Sequence, residues 1–194
     1  MKLLRVDSSA SGERSVTRQL TDRIFKHLES KYAKLKSIDV DLATKEIPFL
    51  EPKMIGSYFT PSEDRSAEQK ELLKQSDDIV ASWKEADLIV LGVPMYNFGM
   101  PAKLKAYFDM LARVGESFHY GEQGPVGHLT GKKVYVGVAT GGTPIGSPYD
   151  HVTPHLKTFL AFLGMTDVEF VAMDQRGDKE ELLKKAEETI LSWE

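Results

Sequence analysis

The sequence predicts an open, five-stranded parallel α/β sheet with helices on both faces, and three observations carry that prediction. Strand-length apolar runs alternate with helical repeats along the whole chain, so consecutive strands are joined by crossovers and run parallel. The run Leu88-Ile89-Val90-Leu91-Gly92-Val93 is apolar without alternation and rich in branched side chains, as a strand covered on both faces has to be. Three of the strands end in loops of small, polar or aromatic residues, at the edge where an open parallel sheet gathers ligands.

Taken in order, Leu3 to Val6 is the first strand, and Asp7 to Ser15 is a small, polar loop after it. Val16, Leu20, Ile24 and Leu28 then recur at helical spacing, with Ser15 placed to cap the helix. Ser37 to Leu42 alternates as a second strand. Ala43 to Ser66 carries three prolines and little periodicity, which predicts a long loop that is either functional or disordered. Leu72, Ser76, Ile79, Val80 and Trp83 mark the helix that delivers the chain to the Leu88 strand. Beyond that strand Pro101 opens a helix at its favoured first position, with Leu104, Phe108 and Leu111 as the buried stripe. Arg113 to Thr130 is a second long connection, whose Phe118-His119-Tyr120, Gly121, Gly124-Pro125 and Gly127 suggest a hairpin flap. Lys133 to Ala139 is the fourth strand. A helix lined by Leu156, Phe159, Leu160 and Leu163 leads to a fifth strand, Val168 to Met173, and Leu183, Ala186, Ile190 and Trp193 line a terminal helix. With no repeat or linker, 194 residues make one domain, 1–194.

The composition excludes several classes of function. A formal net charge of −4 with no basic stripe argues against a nucleic-acid partner. The chain has no cysteine, which removes disulfides, thiolate metal sites, a cysteine nucleophile and redox dithiols together, so any redox chemistry has to be carried by a bound group. The first residues form too short an apolar run for a signal peptide, and nowhere do about 18 apolar residues follow one another, so a cytoplasmic protein without a membrane partner is expected. His119, His128, His151 and His155 suggest a metal or a proton donor, but Pro154 stands between the last two and there is no H-E-x-x-H pattern, so His151 and His155 read as two solvated histidines near a helix start and no metal is assigned. Asp77-Asp78 and Glu180-Glu181 read as solvated helix faces, and no G-x-S-x-G elbow supports a serine hydrolase.

Chemistry concentrates in three loops. After the first strand, Ser8, Ser9, Ser11, Ser15 and Thr17 surround a helix N-terminus, where unpaired N–H groups and the helix dipole favour a phosphate; an ordinary serine-rich turn has the same composition. After the third strand, Met95-Tyr96-Asn97-Phe98-Gly99 puts an amide between two aromatics, which either border a ligand or plug the core. After the fourth, Thr140-Gly141-Gly142 lets backbone N–H groups approach a flat ligand, or is a flexible turn. Phosphate donors, aromatics and backbone donors at one sheet edge are together what flavin mononucleotide (FMN) needs. Neither a Walker loop nor G-x-G-x-x-G is present.

Pro94 to Phe98, Leu104-Lys105-Ala106-Tyr107-Phe108-Asp109, Phe118-His119-Tyr120 with Gly124-Pro125, Thr130-Gly131-Lys132-Lys133 and Phe159 to Gly164 resemble the bacterial FMN-dependent NADH:quinone oxidoreductases, also called azoreductases. The resemblance covers nearly the whole chain. It implies a flavodoxin-like fold with strand order 2-1-3-4-5, and a homodimer with FMN at the subunit interface. It further implies two-electron transfer from NADH or NADPH through FMN to quinones or azo compounds, both substrates using one pocket in turn. On that resemblance Ser9, Ser15 and Thr17 bind the phosphate, with the Val16 backbone. Met95, Tyr96, Asn97 and Phe98 border the isoalloxazine, and Thr140, Gly141 and Gly142 meet its pyrimidine edge. Tyr120 and Phe162 are, by the same resemblance, aromatic pocket walls, within the chain or across the dimer, with plain core packing as the alternative reading. Phe59 is placed at the pocket mouth by the length and position of its loop. No catalytic side chain is required; Asn97 and Gly142 give electrostatic support at the flavin N5 and pyrimidine sides. Where many members have Ser-Arg-Gly-Gly, this chain has Ala139-Thr140-Gly141-Gly142, without the arginine's charge. The competing class is a non-enzymatic flavodoxin-like electron carrier or flavin-dependent sensor, and the two long connections favour the enzyme by supplying material for a pocket.

Overall fold

The computed structural model describes residues 1–193. Five strands, β1 (Lys2–Asp7), β2 (Lys36–Asp41), β3 (Leu88–Pro94), β6 (Lys133–Ala139) and β7 (Asp167–Met173), form one parallel sheet in the order β2-β1-β3-β6-β7. A two-stranded antiparallel hairpin, β4 (Phe118–Gly121) with β5 (Gly124–Gly127), interrupts the path from β3 to β6. Counting only the strands of the main sheet, this is the predicted order 2-1-3-4-5, and the flap is the predicted hairpin.

Alternate side chains of the strands feed two separate cores. Leu4, Val6, Ile89, Leu91, Val93, Val134, Val136 and Val138 pack under α3 (Ala67–Glu85), α4 (Ala102–Leu111) and α5 (Thr153–Phe162). On the other face Leu3, Leu88, Val90, Tyr135 and Val171 meet Leu20, Ile24 and Leu28 of α1 (Val16–Lys31) and Leu183, Ala186 and Ile190 of α6 (Lys179–Leu191). Every residue of β3 is buried, which is why its sequence shows no alternation. Edge strand β2 leaves Ile38 45% exposed.

Two elements differ from the sequence reading. Ala43 to Ser66 is not a structureless loop: α2 (Pro52–Tyr58) starts on Pro52 and packs against α3 through Met54 and Tyr58 around Leu73. Seven residues are too few to show helical periodicity. Ser66 then opens α3 with a full capping box, its hydroxyl accepting from Gln69 N–H while the Gln69 side chain accepts from Ser66 N–H. Pro101 stands one position earlier than expected, flanking α4, which begins at Ala102.

Gly137 in the centre of β6 lets α1 lie close on the sheet, since a Cβ there would stand 2.8 Å from Leu20 Cβ. Gly137→Ala is therefore expected to cost about 1–3 kcal/mol of stability, seen as a lower urea midpoint at unchanged slope.

Candidate functional site

The loops after β1, β3 and β6 meet at one rim of the sheet. Tyr96 is the link between the first two: its hydroxyl accepts from Ala10 N–H at 3.0 Å and lies 3.4 Å from Ser9 Oγ. Ser8 closes the same seam, its N–H and hydroxyl both donating to Gly92 O at 3.1 and 2.7 Å. The third loop joins through Met95 N–H, which donates to Ala139 O at 2.8 Å.

In the first loop Ser9, Ser15 and Thr17 are all buried. Ser15 caps α1 as predicted, accepting from Arg18 N–H at 3.2 Å, and its hydroxyl lies 2.9 Å from Thr17 Oγ1. The N–H groups of Val16 and Thr17 have no acceptor among the described residues, so the N-terminus of a 16-residue helix offers open donors beside two hydroxyls. An anion fits this donor set.

The β3 loop folds back as a two-residue turn. Tyr96 N–H donates to Gly99 O at 2.8 Å and Gly99 N–H to Tyr96 O at 3.1 Å, and the two residues between them have φ of +50° (Asn97) and +69° (Phe98). This is the φ signature of a type I′ turn, unusual for a phenylalanine. Neither central N–H has an acceptor among the described residues, and Asn97 and Phe98 are exposed. Phe98 packs against Tyr149, ring centroids 6.1 Å apart. Tyr149 was not anticipated, since it lies in a featureless stretch and gains its meaning from this contact.

In the third loop Gly141 and Gly142 both have positive φ, +69° and +113°. Thr140 is turned inward: its N–H donates to Met173 O at 3.2 Å and its hydroxyl to Thr143 O at 2.6 Å. Two carboxylates that sequence reasoning missed pin the remainder. Asp174 accepts from Ile145 N–H at 2.9 Å, and Asp150 accepts from the N–H groups of Gly146, Val152 and Thr153 and from the Thr153 hydroxyl. An aspartate just ahead of the Thr153-Pro154 start of a helix was the available signal.

Three predicted pocket residues do not join these loops within one chain. A crossover helix must carry the chain from the ends of one strand back to the start of the next, so Phe162, the last residue of α5, sits toward the opposite edge. Phe118 packs on it at 4.5 Å and Tyr120 on Phe118 at 5.5 Å, and the hairpin lies against the end of α5, where a Cβ on Gly127 would meet Leu163 C at 2.0 Å. Phe59 follows α2 and borders a groove with Arg65, Val114, Gly115 and Glu116. Phe59 and Tyr120 are 69% and 70% exposed. Among the described residues no group of three or more His, Asp or Glu is placed to hold a metal ion, and His119 Nδ1 lies 2.7 Å from His128 Nε2. No described helix is long and apolar enough to cross a membrane.

A family model described as flavodoxin-like fold matches residues 1–193. The FMN-dependent NADH:quinone oxidoreductase of Cereibacter sphaeroides (strain KD131) is 46% identical over 173 residues, covering 89% of this chain and 88% of that protein. The FMN-dependent NADH:quinone oxidoreductase 6 of Burkholderia lata is 41% identical over 169 residues, covering 87% and 85%. Among solved structures, an azoreductase from Bacillus anthracis str. Sterne superposes with a TM-score of 0.88 at 25% identity, covering 100% of both chains. An FMN-dependent NADH-azoreductase from Bacillus anthracis str. Ames Ancestor, solved in complex with FMN, shares the fold at a TM-score of 0.86 and 22% identity, covering 98% and 95%.

Burial pushes the Asp150 carboxyl up, but its hydrogen bonds to Thr153, Gly146 and Val152 outweigh that and hold it below the ordinary value of 3.8. A carboxyl lowered on folding contributes stability that is fully present above its unfolded pKa and is lost as pH falls through the lower folded one. Asp150→Asn is expected to cost about 1–2 kcal/mol at neutral pH. In urea titrations across pH, the gap between the two proteins should shrink only below about pH 4.

Proposed function

Because the chain belongs to the flavodoxin-like fold family and, within it, to the FMN-dependent NADH:quinone oxidoreductases, we propose that it passes two electrons from NADH or NADPH through bound FMN to quinones. On this reading it also cleaves azo compounds reductively to amines, and it works by a ping-pong sequence as one domain in the cytoplasm. The observation that carries the proposal is the meeting of the three loops at one rim, with Tyr96 bonded to the first and Met95 to the third.

FMN supplies the two-electron chemistry when bound, so no side-chain nucleophile is needed. The open Val16 and Thr17 N–H groups with the Ser9, Ser15 and Thr17 hydroxyls would hold the phosphate. Met95, Tyr96, Asn97 and Phe98 would border the ring, and the positive-φ pair Gly141-Gly142, oriented by Thr140, would offer its backbone to the pyrimidine edge. The open Asn97 N–H would stabilise negative charge where it develops on the ring, and Gly142 N–H, which donates to Thr140 Oγ1 at 3.4 Å, would support the pyrimidine side by sharing that bond.

The displaced aromatics support a homodimer. Tyr120, Phe162 and Phe59 lie away from their own chain's rim, so they become walls of an FMN pocket only when a second copy brings them to it. The exposure of Phe98, Tyr149, Tyr120 and Phe59 leaves apolar surface for such an interface to cover. Sedimentation at micromolar concentration is expected to give twice the 21.7 kDa of one chain, and a monomer would remove this part of the proposal.

The activity is checked by anaerobic mixing of the FMN-loaded protein with NADH. The visible flavin absorbance should bleach at once and return when a benzoquinone is added, with turnover. FMN that neither NADH nor NADPH can reduce would make the protein an electron carrier or sensor instead.

A further inference from the structure

Arg176, in the connection from β7 to α6, lays its side chain over Gly142. A Cβ on that glycine would stand 2.8 Å from Arg176 Cγ and 3.1 Å from its Nε. The guanidinium makes no hydrogen bond or ion pair with any described residue. The carboxylates nearest in sequence are committed elsewhere: Asp174 accepts from Ile145 N–H, and Asp178 caps α6 by accepting from Glu180 and Glu181 N–H at 3.0 Å. Arg176 also lines a groove of about 320 Å³ that runs between Val16 at the start of α1 and Ala139 and Gly141 at and just past the end of β6. Gln175 and Lys179 complete that wall, and Lys179 too has no ion partner among the described residues. A cation at the first position of α6 stands where the helix dipole disfavours it. An unpaired arginine against Gly142, with a second unpaired cation lining the same groove, is a site arranged for negative charge.

We propose that Arg176 is the residue that sets the redox poise of the flavin, as the fixed positive charge beside the pyrimidine edge. The inference rests on the reading that Gly141 and Gly142 hold that edge. A flavin that takes up two electrons and one proton gains a net negative charge, borne on the pyrimidine. A neighbouring cation therefore binds the reduced form more tightly than the oxidised form and raises the potential. Arginine suits the position because it stays charged at every working pH and presents a planar fork of donors to a planar edge. Thr140 contributes no charge, and its hydroxyl donates to Thr143 O and accepts from Gly142 N–H, so the cation reaches this rim from the following connection instead.

The test compares the FMN-loaded wild type with Arg176→Met, which keeps the aliphatic contact with Gly142 and removes the charge, and with Arg176→Lys, which keeps the charge. Affinity for oxidised FMN is read by fluorescence titration, and the midpoint potential by equilibration with a redox dye. In Arg176→Met the affinity for oxidised FMN should stay within about twofold, while that for reduced FMN falls about tenfold, a midpoint about 30 mV more negative for a two-electron couple. Arg176→Lys should recover at least half of that shift, and about 1 M salt should narrow the gap because the group is exposed. Equal potentials in wild type and Arg176→Met overturn the proposal, as does equal weakening of both redox states, which would mark Arg176 as structural only. A wild-type protein that takes up no FMN would refute the cofactor reading itself, and this inference with it.

Discussion

A carboxylate buried at the end of β1 holds the rim together. Asp7 is 5% exposed, yet it receives the Thr21 hydroxyl at 2.9 Å, Arg5 Nε at 2.7 Å and Arg18 at 3.8 Å. Burial pushes its pKa above the ordinary value, and the two arginines and Thr21 oppose that without cancelling it. Such a group is costly alone and tolerable only while its partners stay in place. The space for it comes from Gly92 on the neighbouring strand, where a Cβ would lie 2.5 Å from Asp7 Oδ1. Arg18 continues the link to Asp41 at the end of β2. β2, β1, β3 and the start of α1 are thus fastened at the point where the serine-rich loop leaves the sheet, and the open donors of Val16 and Thr17 inherit their position from that charge network.

The remaining geometry follows from parallel connectivity. Each crossover helix returns the chain to the starting edge, so loops at strand ends share one rim whatever their separation in sequence, and the ends of the helices share the other. One chain therefore presents donors and a type I′ turn at one edge and an aromatic cluster of Phe118, Tyr120 and Phe162 toward the other. A pocket that uses both requires two copies. The division of labour is topological, and no side-chain substitution within one chain could bring the two groups together.

What could be read in the sequence was what burial writes into it. β1, β3 and β6 announced themselves because both faces of the sheet are covered there, edge strand β7 through its half-buried apolar residues, and α1, α3, α4, α5 and α6 because one stripe of each is apolar. α2 left no such trace, being short and packed through only a few side chains. In the site, the loops were legible as composition: serines before a helix, an amide between aromatics, paired glycines. Their wiring was not. That Tyr96 spends its hydroxyl on Ala10, that Asp150 gathers four donors, and that Arg176 lies on Gly142 are contacts between residues that no local pattern connects. Phe59 was named from the length and position of its loop, which do not say which edge of the sheet a residue reaches, whereas Tyr120 and Phe162 came from a resemblance that allowed them to act across a dimer.

The turn at Asn97 and Phe98 shows how such wiring sustains an unfavourable conformation. Left-handed φ is tolerable for asparagine and poor for phenylalanine, and a strained residue of this kind costs on the order of 1–3 kcal/mol. It persists because its surroundings determine it more than once. The reciprocal Tyr96–Gly99 bonds close the turn, the Tyr96 hydroxyl anchors one side to the β1 loop, and Phe98 leans on Tyr149. Extended φ at these positions would break the closing bonds, and helical φ would splay the flanking chain and turn the two central N–H groups another way. The strain is thus what keeps two backbone donors and an aromatic face turned outward together at the rim.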